Sequence, residues 1–299
     1  MSEIRKISIV ALYNFRIWKW NPRIIITFAL AFILCFMLSD KAVQFATANE
    51  TTMQLVEAFI WTFGDADSIM LASLLLLLLF ADMPFLTAAT PLFLLRINRK
   101  IFLLGQGLYI ILSTLIYMIF VLLSTTLICI GDSFSGNIWS ETAALLGYSG
   151  AGEKIALPSF VKVITLSRPY ECMFHIFFLM LLYALVLAFI MLWGNLKKGS
   201  VAGVSAVVIF TLFGYLLKPD LIQDLFKLPD ILQYKANVAV GWLSPLNHAT
   251  YYMHNFGYDL LPRLWQTYAI FSGLILLLFW LCLRSIRNYN FNFTGTEGR

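Results

Sequence analysis

"LLRINRKIFLLGQ", Leu94–Gln106, sets Arg96, Arg99 and Lys100 between two of the most apolar stretches of the chain. Of 299 residues, 60% are hydrophobic and 12% are charged. The mean hydropathy is +0.81. A water-soluble domain carries roughly 25% charged residues, so this polypeptide is built for lipid, and each cation inside it carries positional information. The cluster in Leu94–Gln106 divides what would otherwise be one long apolar region into two membrane helices.

Working outward from it, six windows have the roughly 20 mostly apolar residues that a helix needs to cross hydrocarbon. They are about 24–38, 69–86, 103–130, 174–193, 201–217 and 264–283. The first is short unless it borrows flanking residues, and the third is long enough to tilt or break. A bundle of such helices is one folding unit, so residues 1–299 are read as a single transmembrane domain of all-α class.

Lys and Arg concentrate on the cytoplasmic side of membrane proteins. With the N-terminus inside, the inner segments hold Arg5, Lys6, Arg16, Lys19, Arg23, Arg96, Arg99, Lys100, Lys197, Lys198, Arg284, Arg287 and Arg299 against Glu3, Asp82 and Glu297, a net of +10. The outer segments hold the other 8 cations and 13 acids, a net of −5, which returns the overall +5. Both termini are therefore expected inside. The basic balance reflects topology and attraction to anionic lipid, which excludes nucleic acid as a partner. Inner connections are brief, including a tight "GNLKKGS" turn, while longer outer segments run about 39–68, 131–173 and 218–263. No repeat of 20–50 residues supports an inverted-repeat carrier.

The first 22 residues predict an amphipathic helix. Ile4, Ile7, Ala11, Phe15 and Trp18 recur at steps of three and four, with Arg5, Lys6, Arg16 and Lys19 on the other side. Such a helix lies at the inner leaflet with its aromatics in the interface, and Pro22 turns the chain into the first span. The stretch lacks a short apolar core followed by a small-residue cleavage site, so it reads as mature protein and not as a removed leader. Within "FADMPF", Pro84 bends or ends the second span. Pro91 then favours a short helix over "TPLFLLRINRK", with Leu94, Leu95 and Ile101 toward the membrane and the three cations displayed to the cytoplasm.

Motifs for chemistry are sparse. "GYSGAGEKI", Gly147–Ile155, has the glycine interval of a phosphate loop, but Glu153 follows the second glycine and Ile155 replaces Ser or Thr, so a glycine turn is expected. His248 and His254 are six apart, off a common helical face, with no HExxH. Asp65 and Asp67 read as boundary charges. Cys35, Cys129 and Cys282 sit in or beside apolar runs and Cys172 is placed in a loop, without a CxxC or disulfide pattern. The span interiors carry no charge, Asp82 near the inner end of the second being the closest, which argues against a proton- or sodium-coupled carrier. "GSVAG", Gly199–Gly203, is a small-xxx-small pair suited equally to packing within one subunit or between two.

Taken together, the six spans, the amphipathic N-terminal helix, the short basic helix between spans two and three and the long outer segment between spans five and six resemble the type-2 ATP-binding-cassette permeases. The strings that carry the likeness are "LLLLFADMPF", "LLRINRKIFLLGQ" and "WLSPLNHATYYMHNFGYDLLPRL". The resemblance implies a bacterial cell-membrane permease that pairs with a second copy or a sibling and docks separate cytoplasmic ATPase subunits. ATP and Mg would bind on those partners, and this chain would hold no cofactor and catalyse nothing itself. It implies that Arg96, Asn98, Arg99 and Lys100 occupy the coupling position, with the N-terminal helix (Ile7, Phe15, Arg16, Trp18 and Lys19) packed beside it. It implies a path lined by spans two and five, through Leu75, Leu78, Leu79, Val204, Val208 and Phe210. Re-entrant outer helices would fill the segment from Pro219 to Pro262. Greasy walls suit an amphipathic peptide, antibiotic or lipid-like cargo moved outward by alternating access, an antimicrobial-peptide exporter or immunity pump being the first choice. The alternatives are a membrane sensor or scaffold using the same basic helix, and a lipid-modifying enzyme with His248, His254 and Asp259 as its groups.

Overall fold

The computed structural model describes residues 2–86, 90–154, 157, 161–227, 229–257 and 259–289. Arg299 and Glu297, both part of the charge balance, lie outside them. The chain is 81% helical, so the sequence expectation of an all-α protein holds at the level of class. A two-residue parallel bridge between β1 (Met53–Gln54) and β2 (Ser133–Phe134) is the sheet structure among the described residues.

The helices in chain order are α1 (Glu3–Ile17), α2 (Pro22–Ala48), α3 (Glu57–Phe63), α4 (Ala66–Leu76), α5 (Thr90–Arg96), α6 (Arg99–Ile128), α7 (Glu141–Tyr148), α8 (Ala151–Lys154), α9 (Val161–Leu166), α10 (Pro169–Lys198), α11 (Ser200–Leu216), α12 (Pro219–Phe226), α13 (Gln233–Leu243), α14 (Pro245–Ala249) and α15 (Leu264–Ser285). Four stretches, α2, α6, α10 and α15 with its following turn, are long and apolar enough to cross a membrane. The count rises to six if two bent pairs each make one span: α3 with α4 and its 3-10 extension, bent by 91°, and α11 with α12, bent by 77°.

These lengths differ from the hydropathy windows for physical reasons. α2 runs on through Asp40 and Lys41 to Ala48, because Ser39, Ala42 and Ala46 keep one face buried while the charges point outward. α6 begins at Arg99 and continues unbroken to Ile128. The second window stops early: α4 tightens into a 3-10 turn at Leu77–Leu79, and residues 80–86 are irregular around Pro84, which cannot donate to a helical ladder. Cys172, placed in a loop from sequence, is buried inside α10, and all four cysteines are free and buried.

α10 is the axis of the bundle. It is hydrophobic all round, and Met180, Tyr183, Val186, Leu187 and Leu192 are fully enclosed, as a helix without a polar face must be. α11 and α15 pack on either side of it, α6 joins from α2 and α1, and α14 closes against α10 and α4. The outer surface is apolar in turn, with Ile25, Ile33, Phe36 and Met37 of α2, Val201, Ile209 and Leu216 of α11, and Leu276, Leu277 and Trp280 of α15 exposed. An apolar rind around an apolar core is the arrangement of a membrane-embedded protein, where lipid replaces water as solvent.

The bundle has two distinct ends. One, here the basic end, gathers α1, α5, the starts of α2, α6 and α11, and the close of α10 and α15. The other, the loop-rich end, gathers α3, α7–α9 and α12–α14. There the glycine stretch of "GYSGAGEKI" is helical at Gly147, whose Cα faces Ile164, and turns at Gly150 with φ +67°.

Candidate functional site at the basic end

α1 packs along α6. Val10, Ala11 and Asn14 are buried against α6, and the helix can approach because Gly105 has no side chain: a Cβ there would sit 2.5 Å from Val10 Cβ and 3.0 Å from the Ile7 carbonyl oxygen. The Asn14 side-chain amide donates to Gln106 Oε1 at 3.0 Å, with both groups buried. One turn on, the Trp18 indole donates to the Tyr109 hydroxyl at 2.8 Å, and the Phe15 ring lies 5.0 Å from that of Tyr109. The end of the stretch Leu94–Gln106 is thus the cradle of α1. Ile7, Phe15 and Trp18 are half-buried in this contact, and Arg16 and Lys19 are exposed. Ile4, on the expected apolar face, is 76% exposed, and the stripe in contact with α6 is Val10, Ala11 and Asn14.

The basic cluster is split between two helices. Arg96 ends α5, Ile97 and Asn98 form a corner, and Arg99 and Lys100 open α6. Asn98 takes extended backbone angles, φ −71° and ψ 151°, which is where the expected single helix stops. α5 is held to α1 by the edge contact of Phe93 with Tyr13, ring centres 5.1 Å apart. Arg99, exposed like its neighbours, is tied to the end of the last helix: its guanidinium donates to the carbonyls of Arg287 at 2.9 Å and Tyr289 at 3.1 Å, neutralising the carbonyl-rich close of α15. Arg96, Asn98 and Lys100 are exposed, as are Leu92 and Leu95. Of the residues expected toward the membrane, Leu95 is 83% exposed, Leu94 is half-buried, and Ile101 is buried within the protein.

The stretch that leads into α5 is braced from α10. The Asn195 side-chain amide donates to the carbonyls of Ala81 at 3.0 Å and Met83 at 2.7 Å. Beside it, Arg23 at the start of α2 pairs with Asp82. Between these elements opens a cleft of about 390 Å³ lined by Arg23, Leu78, Ala81, Asp82, Ser200, Val201, Val204 and Ser205. The cleft brings together Leu78 and Val204, two of the expected path residues. Val208 is exposed further along α11, Leu75 and Phe210 are half-buried, and Leu79 is buried in the core. Gly203, in the small-residue pair, packs within the chain against Gly194 and Asn195.

Asn14, Gln106, Tyr109 and Asn195 hold this end together, and none of them stood out in the sequence. The signal was a polar residue inside an apolar window, in "FLLGQG" and "LWGNLKK". At the loop-rich end, Asp65 caps α4 by accepting from the Ser68 amide at 3.1 Å. Asp259 pairs with Lys162, and not with His248 or His254, so the three do not assemble as a catalytic set. Among the described residues, no group of three or more His, Cys, Asp or Glu is placed to hold a metal. No protein-family model, curated protein or solved structure matches this chain.

Proposed function

We propose that this chain is the membrane-spanning permease subunit of an ATP-binding-cassette transporter of the type-2 kind, with six spans and both termini in the cytoplasm of a bacterial cell. A separate ATPase docks on the basic end, a second permease completes the path, and an amphipathic peptide, antibiotic or lipid-like molecule is exported by alternating access. The observation that carries this reading is the bracing of the basic end. α5 displays Arg96 while Asn195, Tyr13 and Arg99 tie its two flanks to α10, α1 and the end of α15. A push on Arg96 and Lys100 would therefore reach three elements of the bundle as a rigid displacement, which packed interfaces convert into a switch between discrete states. The cleft beside it, with Leu78 and Val204 as greasy walls and Arg23, Asp82, Ser200 and Ser205 at its polar rim, suits an amphiphile more than a sugar or an ion.

Copurification from native membranes tests the reading. An ATPase subunit is expected in stoichiometric amount, and reversing Arg96 and Lys100 to Glu together should lower its recovery and its stimulated turnover at least tenfold. Recovery of the intact protein without any ATPase would overturn it in favour of a sensor or scaffold.

A further inference from the structure

All three histidines of the chain meet at the loop-rich end, and two of them share one hydroxyl. His248 Nδ1 and His254 Nε2 each lie 2.9 Å from Thr267 Oγ1. On its far side His248 Nε2 faces the Trp242 carbonyl at 3.0 Å, and His254 Nδ1 faces the carbonyls of Thr250 at 3.0 Å and Tyr251 at 3.1 Å. Thr267 and His254 are fully buried and His248 is 3% exposed.

Counting protons in this chain of contacts gives a definite result. A carbonyl only accepts, so His248 carries hydrogen on Nε2 and His254 carries it on Nδ1. If both rings are neutral, the two nitrogens facing Thr267 are both bare lone pairs, and each needs the hydroxyl to donate. Thr267 has one hydrogen, so one buried nitrogen goes unsatisfied. With one added proton the conflict disappears: the charged ring donates to Oγ1, Oγ1 donates to the other ring, and both far nitrogens donate to carbonyls. The arrangement is the same whichever ring bears the charge.

We infer that His248, Thr267 and His254 form a binding site for a single proton, shared between the two rings, which latches α14 and the turn at Tyr251–Met253 to the start of α15. Burial opposes the charge, pushing His248 down and His254 to about 4, and the hydrogen-bond count works against that penalty. The surrounding groups do not supply a counter-charge by contact. α10 contributes Glu171, Cys172 and His175, whose ring stacks on Tyr251 and bonds through Nδ1 to the Tyr268 hydroxyl of α15 at 2.8 Å. The other titratable and charged groups on packed elements are Tyr251, Tyr252, Asp65 and Asp67 at the start of α4, Lys218 after α11, Lys235 of α13 and Arg263 before α15, whereas the bonds of the two imidazoles run to the Thr267 hydroxyl and to the carbonyls of Trp242, Thr250 and Tyr251. This inference stands apart from the transport reading and does not depend on it.

Nitrogen-15 spectra of the histidines, recorded on the full chain in detergent micelles across pH 8 to 4, test it. In the wild-type protein, the His248 and His254 signals should move together with one midpoint and one proton between them, while His175 moves separately. Thr267→Val, which removes the shared hydroxyl, should lower the first midpoint by at least one pH unit, a tenfold weaker hold on the proton, and Thr267→Ser should restore it. Independent midpoints for the two rings in the wild-type protein, or an unchanged first midpoint in Thr267→Val, would overturn the inference. The wild-type measurement decides the matter even if the valine variant fails to fold.

Discussion

Gly194 and Gly203 touch across α10 and α11: a Cβ on Gly194 would stand 2.6 Å from Gly203 Cα, and one on Gly203 would stand 1.8 Å from Asn195 Oδ1 and 2.6 Å from the Met191 carbonyl oxygen. The positive φ of +90° at Gly199 reverses the chain between the two helices so that these faces meet. A methyl group at Gly203 has no room, and its neighbours are a helix backbone and an amide already committed elsewhere. Gly203→Ala should destabilise the protein by about 1–3 kcal/mol, the usual cost of overpacking. Gly273 provides the contrast, since nothing lies within 4 Å of its missing Cβ in the middle of α15. Gly273→Ala should be neutral or stabilising by roughly 0.5–1 kcal/mol. Thermal unfolding of the two variants in the same detergent, followed by tryptophan fluorescence, measures the difference, and equal midpoints would show that α10 and α11 do not pack as described.

Asn195 acts on the other side of the same contact. Its amide holds the Ala81 and Met83 carbonyls, fixing the irregular stretch that carries the chain from α4 toward α5. Asn195→Asp keeps the shape but aims a carboxylate at two acceptors. The stretch should loosen by about 1–3 kcal/mol, which corresponds to roughly ten- to hundredfold faster amide exchange over residues 80–86. Exchange unchanged within a factor of two would mean that the stretch is held by packing alone.

How far the sequence revealed this architecture follows the range of the forces involved. Apolar runs and the sorting of cations are local properties, so the helices of the bundle and the gathering of Arg5, Arg23, Arg96, Lys100, Lys198 and Arg284 at one end were legible. Helix ends were legible where a backbone rule acts, as at Pro84, whereas the expected "GNLKKGS" turn shrinks to Gly199 because α10 runs on to Lys198. They were misread at Asp40, where one buried face outweighs an exposed charge, and at Asn98, where an extended residue divides the basic cluster. Partner choice was not legible at all. That Arg99 caps the close of α15, that Asn14 meets Gln106, and that two histidines six residues apart converge on Thr267 depends on contacts between segments distant in the chain.

The Asn14–Gln106 bond is the polar fastening of α1 to α6, and it offers a double-mutant cycle. Asn14→Leu leaves Gln106 Oε1 buried without a donor and should cost about 1–3 kcal/mol. Gln106→Leu should cost a similar amount by stranding the Asn14 amide. The pair Asn14→Leu with Gln106→Leu replaces both ends by apolar groups and should recover most of the loss, giving a coupling of about 2–3 kcal/mol. The readout is release of α1, measured as reactivity of a cysteine placed at Val10, which is 2% exposed in the intact protein. Additive single effects would show that the two side chains do not bond.

Glu57, at the start of α3, is fully buried and accepts from the Ser140 amide at 2.9 Å, the Ser140 hydroxyl at 2.5 Å and the Gln54 amide at 3.2 Å, which tie α3 to the start of α7 and to β1. Glu57→Gln keeps the size of the side chain but turns an amide donor toward these donors, so the junction should loosen by about 1–3 kcal/mol. The measurement is hydrogen exchange at the Gln54 and Ser140 amides, expected to quicken roughly ten- to hundredfold. Exchange unchanged within a factor of two would mean that packing around α3, and not the carboxylate, holds the junction.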